Sequence, residues 1–249
     1  MLQKNLIIIP ARMASTRLPN KPLADIAGKT MIHRVYEQAL KANAGEVIIA
    51  CDGKEIAQEA YKIGAKFIIT DPQLQSGTDR IYQAFLEHGG DYDTITNLQG
   101  DLPNIDPNVI CSAVNLGNSS DCDIATVASV IKNRHEIDNP NIVKIALGNN
   151  SRALYFSRSA IPYCADKSGE YFHHIGIYVY KKSALAKFVK LSCSKLEKQE
   201  SLEQLRALEN NMTIAVAIVD AYPLSVDTQE DLEIITKLII RNQNDVGHG

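Results

Sequence analysis

Short β-branched runs alternate with longer amphipathic stretches through the first hundred or so residues, and no other feature limits the fold as much. "NLIII" (5–9), "EVIIA" (46–50), "KFIIT" (66–70) and "DTITNL" (93–98) are the right length for strands, and too continuously apolar to keep one face in water. Between them, "TMIHRVYEQALKA" places Met31, Ile32, Val35 and Ala39 on one helical face. "GKEIAQEAYKIGA" and "SGTDRIYQAFLEHGG" read as helices that end at Gly64 and Gly89. This rhythm predicts βαβ crossovers around a mostly parallel sheet, an α/β fold. Further on, "DIATVASVI", "NIVKIAL", "RALYFS" and "HIGIYVY" follow one another with shorter connections, which predicts antiparallel strands that extend the sheet or form a flap. A helix in "SLEQLRALENN", a strand in "TIAVAIVD" and a helix in "TQEDLEIITKLIIRNQ" close the chain. No repeat or low-complexity linker interrupts it, so one continuous domain over 1–249 is the simplest organisation.

At 249 residues, with 45% hydrophobic and 22% charged residues, the chain can bury a sizeable core. A formal net charge of -3 gives no long-range attraction for nucleic acid or anionic lipid, so the expected partner is a small molecule and any basic cluster acts locally. The N-terminus lacks the basic and apolar regions of a secretory signal, and runs such as "TIAVAIV" are too short to span a bilayer. No membrane association and a cytoplasmic location are expected. Five cysteines, Cys51, Cys111, Cys122, Cys164 and Cys193, are odd in number and form no CxxC, so they are expected to be reduced, mostly buried thiols.

In open α/β sheets ligands bind beyond the carboxyl ends of the strands. The first strand runs into "IIIPARMASTRLPNKP", which carries Arg12, Arg17 and Lys21 and no carboxylate. The backbone N–H groups from Ala11 to Thr16 can form an anion nest, and the three cations can neutralise a polyphosphate. A solvated basic turn is the alternative; the position after the first strand of a βαβ unit favours the anion site. "GKT" at Gly28, Lys29 and Thr30 is not a P-loop, because Leu23 stands where that motif needs glycine, and no GxGxxG supports a dinucleotide. "QGD" places Asp101 at the end of the fourth strand, and a hard cation such as Mg²⁺ needs only one or two carboxylates beside substrate phosphates. Asp227 in "SVDTQEDL" is the candidate partner, although read alone it is better explained as a helix N-cap, a role Thr228 could also fill. Asp101 alone could be an ordinary turn residue.

Taken in order, "IPARMASTRLPNKPL", "QSGTDR", "NLQGD", "NPNIVK", "ALYFSR", "HHIGIYVY", "LEQLR" and "VDTQEDLE" resemble the 3-deoxy-manno-octulosonate (Kdo) cytidylyltransferases of lipopolysaccharide assembly over nearly the whole chain. "SGTDR", "FSR" and "LEQLR" together narrow the wider sugar nucleotidyltransferase group to this branch. The resemblance implies a Rossmann-like nucleotidyltransferase fold, a three-layer α/β sandwich with a mostly parallel sheet. Residues from about 125 to 200 would form an antiparallel sugar-binding and dimerisation extension. It implies transfer of CMP from CTP to the anomeric C2 hydroxyl of Kdo, with Mg²⁺ as cofactor and a homodimer as the assembly. Arg12 and Lys21 would hold the triphosphate beside the Ala14 and Ser15 backbone. Asp52, Ser76, Gly77 and Arg80 would line the cytidine side, and Asp101 and Asp227 would carry the metal. Arg158 would meet the sugar carboxylate with Gln99 nearby, and His174, Tyr178, Glu203 and Gln204 would bind the sugar's hydroxyls. Read as residues alone, His174 and Tyr178 could be core, and Glu203 with Arg206 a plain helical ion pair. Three departures stand out: Leu102 where relatives usually carry Glu, Cys51 where Thr is common, and a short "PYCADKSGEYF" segment before His174. A cytidylyltransferase for 8-amino-Kdo or a sialic acid, another nucleotidyltransferase, and a lapsed nucleotide-binding subunit remain the alternatives.

Overall fold

A computed structural model describes residues 3–15, 17–165 and 169–246, with side chains to 242. Thr16, and the middle of the short segment before His174, therefore lie outside the described residues. In chain order the elements are β1 (Asn5–Ala11), β2 (Asp25–Ile26), β3 (Lys29–Thr30), α1 (Met31–Ala42), β4 (Glu46–Cys51), α2 (Lys54–Lys62), β5 (Lys66–Ile69), α3 (Gly77–His88) and β6 (Thr94–Leu98). They continue with α4 (Pro107–Ser119), β7 (Ile124–Val130), β8 (Lys144–Leu147), β9 (Ala153–Ser157), β10 (Phe172–Lys181), α5 (Lys182–Phe188), α6 (Lys195–Glu200), α7 (Leu205–Glu209), β11 (Ile214–Ile218) and α8 (Gln229–Val246). The chain is mixed α/β, with parallel and antiparallel strand pairs. Its contacts divide it into two compact units, one of Asn5–Asp91, Asn97–Ile110 and Tyr222–Gly249, the other of Met1–Lys4, Tyr92–Thr96 and Cys111–Ala221.

The first unit carries the expected βαβ pattern. β1, β4 and β5 pair in parallel, with Ile7 opposite Val47 and Ile49 opposite Phe67. Leu6 to Ile9 and Ile48 to Cys51 are fully buried, as continuous β-branched runs require when both faces are covered. β5 departs from that expectation: Lys66 is exposed and Ile69 is half exposed, because the strand is the end of its parallel row. On α1, Met31, Ile32, Val35 and Ala39 are all fully buried, and the Thr30 hydroxyl accepts the His33 N–H to cap the helix.

The second unit holds the antiparallel strands. β10 pairs with β7 and with β8, β8 with β9, while β11 runs parallel to β7. α4 and α6 carry weaker signals than the other helices. "PNVICSAVNLGNS" in α4 is rich in Asn, Ser and Gly, poor helix formers, and forms because Val109, Ile110, Ala113 and Val114 are buried. α6 has a complete capping box, Ser194 with Glu197, that is readable as S-x-x-E in "SKLE". None of the five cysteines is in a disulfide; Cys51 and Cys122 are buried, but Cys111 and Cys164 are only partly so and Cys193 is exposed, fewer buried thiols than composition suggested.

Within this unit α4 approaches β10 so closely at Gly117 that a Cβ there would lie 2.5 Å from Val179 Cγ1. Val179 is β-branched and has no easy rotamer to escape to. Gly117→Ala is therefore expected to lower stability by about 1–3 kcal/mol despite a gain in helix propensity, with Val179→Ala restoring most of the loss in the double variant. Thermal unfolding of the single and double variants reads this directly.

Candidate active site

The opening loop is pinned at two points of the first unit. The Met13 N–H donates to both carboxylate oxygens of Asp52, at 3.1 and 3.2 Å, just beyond β4. Leu18 is buried in an apolar cluster with Ile26, Met31, Val226 and Ile235. Arg12 and Ala14, on either side of Met13, stay exposed, and the chain turns through a left-handed Asn20 to bring Lys21 inward.

The Lys21 ammonium then stands between two carboxylates, donating to Asp101 Oδ2 at 2.9 Å and to Asp227 Oδ1 at 2.8 Å. Arg17 Nη2 lies 3.2 Å from Asp227 Oδ2. Burial works against the charge on Lys21, but Asp101 and Asp227 outweigh it and raise its pKa. Burial likewise works against ionisation of Asp227, and Lys21 and Arg17 outweigh it, holding its carboxyl below the usual range.

Local chemistry explains why these two aspartates meet. A Cβ on Gly100 would lie 2.9 Å from the Pro10 carbonyl oxygen, so only glycine lets the end of β6 pass β1 here. The Val226 N–H donates to the Asp101 carbonyl at 3.0 Å, which sets the segment before α8 against "QGD". Thr228 and Asp231 cap α8: Asp231 Oδ2 accepts from the Asp227 and Thr228 N–H groups, and Thr228 Oγ1 accepts from the Asp231 N–H. The cap is thus made without the Asp227 carboxylate, which turns to Lys21.

A cavity of about 660 Å³ opens here, a volume suited to a nucleotide-sized ligand. Arg12, Arg17, Lys21 and Arg80 supply its positive charge, and Asp101 and Asp227 its negative charge. Ala14 and Ser15 line it, as do Ser76 and Gly77 at the start of α3, and Gln99, whose Nε2 donates to Asn97 Oδ1 at 2.9 Å. Ser76 Oγ accepts the Asp79 N–H at 3.1 Å and so caps α3. Arg80 is buried, its guanidinium bonded to the Thr70 hydroxyl and the Asp71 carbonyl. Asp52 does not line the cavity; its carboxylate is spent on the Met13 N–H. Among the described residues no cluster of three or more His, Cys, Asp or Glu could hold a metal. Two carboxylates already gathered on one cation, with room for phosphate oxygens, is a donor set that fits a hard divalent ion.

The remaining predicted residues lie in the second unit. His174 Nε2 is 3.0 Å from Thr126 Oγ1, and its ring is 5.0 Å from Phe156 and 5.3 Å from Tyr178. The shared face of His174 and Tyr178 survives a bulge, because two extra residues are inserted between them and parity is kept. Burial, then Tyr180 and Glu203, keep the Tyr178 phenol protonated. The Arg158 guanidinium donates to the carbonyls of Glu200 (2.9 Å), Pro140 (2.9 Å) and Ser201 (3.5 Å). Gln204 is buried, with its Nε2 lacking a hydrogen-bond partner among the described residues. Glu203 is 3.6 Å from Arg206, whose principal partner is Glu197.

A family model described as cytidylyltransferase matches residues 6–214. The 3-deoxy-manno-octulosonate cytidylyltransferase of Bartonella quintana is 49% identical over 246 residues, covering 96% of this chain and all of that protein. That of Parvibaculum lavamentivorans is 48% identical, covering 92% and 90%. The chain belongs to the 3-deoxy-manno-octulosonate cytidylyltransferase family. A solved structure of CMP:2-keto-3-deoxy-manno-octonic acid synthetase complexed with CTP superposes with a TM-score of 0.91 at 37% identity, over 96% of this chain and 100% of that one. The Rossmann-like nucleotidyltransferase fold expected from the motifs is therefore the fold of this cytidylyltransferase-family chain.

Several supporting residues escaped the sequence reading. Lys144 is fully buried and donates to the carbonyls of Asn139 (2.9 Å), Ile142 (2.7 Å) and Arg158, so it ties "NPN" to "FSR". Glu200 receives the Ser157 hydroxyl at 2.7 Å and the Arg158 N–H at 3.0 Å. A lysine inside the apolar run "NIVKIAL" was the available signal. Leu102, the departure beside Asp101, is buried and adds no charge to the site.

Burial pushes His173 down to about 4 and His174 to about 3, with neighbouring Lys144 and His173 acting in the same direction. Both rings are neutral in the fold and charge on unfolding below their ordinary value of 6.5. Their contribution to stability is complete above that value and is lost as pH falls from it toward 4 and 3. Urea unfolding is expected to show uptake of about two protons near pH ~5, and of about one in His174→Asn.

Proposed function

We propose that this chain joins CTP and Kdo to give CMP-Kdo and pyrophosphate, in a reaction that requires Mg²⁺. The observation that carries the reading is the Lys21 ammonium held by Asp101 and Asp227 in a cavity edged by Arg12, Arg17 and Arg80. Phosphoryl-type transfer asks for neutralised charge and aligned reactants rather than for a covalent group on the enzyme. Arg12, Arg17 and Lys21 receive the triphosphate with the Ala14 and Ser15 backbone, and Asp52 keeps the loop in place through Met13. Ser76, Gly77 and Arg80 accommodate the nucleoside side. Asp101 and Asp227 would hold Mg²⁺, which would screen phosphate charge and lower the pKa of the attacking hydroxyl.

Lys21 has two tasks in this reading. Without nucleotide it neutralises the two carboxylates; with the triphosphate present it would turn to the phosphates and leave both carboxylates able to hold a metal. On the sugar side, Arg158 meets the carboxylate of Kdo, and Gln99 is a further candidate sugar contact. Arginine has five N–H groups, and three are directed at carbonyls here, so two remain among the described residues. His174, Tyr178, Glu203 and Gln204 contact the hydroxyls, and the unpaired Gln204 amide favours a polar ligand. The proposed enzyme acts in the cytoplasm, where CTP is made, as a homodimer, a state that light scattering reads.

Pyrophosphate release from CTP and Mg²⁺ should depend on Kdo, should not occur with UTP, and should fall about 10²–10³-fold in Asp101→Ala. Release with another acidic sugar alone would move the substrate to that sugar. No release with any sugar would overturn the reading.

A further inference from the structure

We propose that Thr126 is a positioning residue that fixes the proton of the His174 ring on Nε2, leaving Nδ1 as an acceptor that recognises a hydroxyl of the sugar by accepting its proton. The part concerning sugar rests on the reading of His174 given above; the part concerning the ring does not.

Thr126 on β7 is fully buried and His174 on β10 nearly so. Thr126 Oγ1 has three polar neighbours: the Ile177 carbonyl at 2.7 Å, His174 Nε2 at 3.0 Å and the Ile175 carbonyl at 3.4 Å. A hydroxyl has one hydrogen to give, and a carbonyl can only accept. Sent to the imidazole, that hydrogen would leave the Ile177 oxygen facing a hydroxyl lone pair at 2.7 Å, with no proton between them. It goes instead to Ile177, and the histidine nitrogen donates to Thr126. A neutral imidazole carries one N–H, so Nδ1 is bare. Burial keeps the ring neutral throughout the physiological range.

The acceptor carbonyl exists because of the bulge. β10 and β7 pair in register from Phe172 to Ile175, then resume at Tyr178 opposite Thr126. Gly176 and Ile177 are left out of that register, and the Ile177 carbonyl turns to the threonine hydroxyl. Phe156 meets the imidazole edge-on at an interplanar angle of 77°, and Tyr178 packs against it at 50°, so the ring is held in orientation as well as in tautomer. An Nδ1 that can only accept recognises a hydroxyl and disfavours a carbonyl, an ether oxygen or a carboxylate at the same place. Thr126 thereby contributes to sugar specificity through His174.

The experiment is a long-range ¹H–¹⁵N correlation on ¹⁵N-histidine-labelled protein, with the His174 signals assigned by their loss in His174→Asn. Wild type is expected to show the Nε2–H tautomer alone. Thr126→Val, of the same shape but without the hydroxyl, is expected to show a population of Nδ1–H and a KM for Kdo raised about tenfold with the KM for CTP unchanged, and Thr126→Ser is expected to restore both. An Nδ1–H tautomer in wild type overturns the proposal even if the valine variant does not fold, and so does an unchanged tautomer in Thr126→Val. A tautomer that moves while the KM for Kdo does not refutes His174 as a sugar contact, and with it the specificity role of Thr126.

Discussion

One ammonium between two carboxylates organises the first unit. Lys21 is 80 positions from Asp101 and 206 from Asp227, and its two hydrogen bonds draw together the opening loop, the end of β6 and the segment before α8. Two carboxylates this close would repel without it, and burial would penalise each charge separately. The arrangement is stable because each partner offsets the desolvation of the others. In the proposed reaction a polyanion would compete for the lysine and a divalent cation for the carboxylates.

The scaffold meets the requirements of that junction. Glycine at position 100 lets β6 end against the Pro10 carbonyl, and the Val226 N–H bonded to Asp101 sets the register of the returning chain. Capping α8 falls to Thr228 and Asp231, and holding the loop falls to Asp52, so the carboxylates that face the cavity are left to Lys21. In the second unit, Lys144 and Glu200 do similar work for Arg158, through carbonyls and a carboxylate that fix the backbone beneath it. In both units the groups expected to meet substrate sit on polar partners that leave part of their hydrogen-bonding capacity available.

Much of the fold was legible because periodicity is a local property. Met31, Ile32, Val35 and Ala39 had to share a helical face, and the runs in β1 and β4 had to be buried on both sides. β5 carries the same kind of run and yet is half exposed, because position in a sheet is set by neighbours rather than by the strand's own residues. α4 went unread since its Asn, Ser and Gly content hides a helix that tertiary burial stabilises. At the site, the strand-end positions of Lys21, Ser76, Gln99 and Asp101 followed from the α/β pattern. Whether Asp227 was a cap or a partner did not, because "SVDTQEDL" supports both readings and only the Thr228–Asp231 cap decides between them. Asp52 was sequence-visible as a strand-end carboxylate, but its use on the Met13 N–H depends on where a loop 39 residues earlier comes to rest.

In the proposed reaction Lys21 and a divalent cation would share Asp101 and Asp227, with nucleotide deciding between them. Titration of Mn²⁺, followed by its electron paramagnetic resonance signal, tests this in wild type and Lys21→Met with and without CTP. Weak binding to the nucleotide-free wild type is expected, with binding at least about tenfold tighter once CTP is present and tighter nucleotide-free binding in Lys21→Met than in wild type. Tight nucleotide-free binding that neither CTP nor Lys21→Met alters would contradict it.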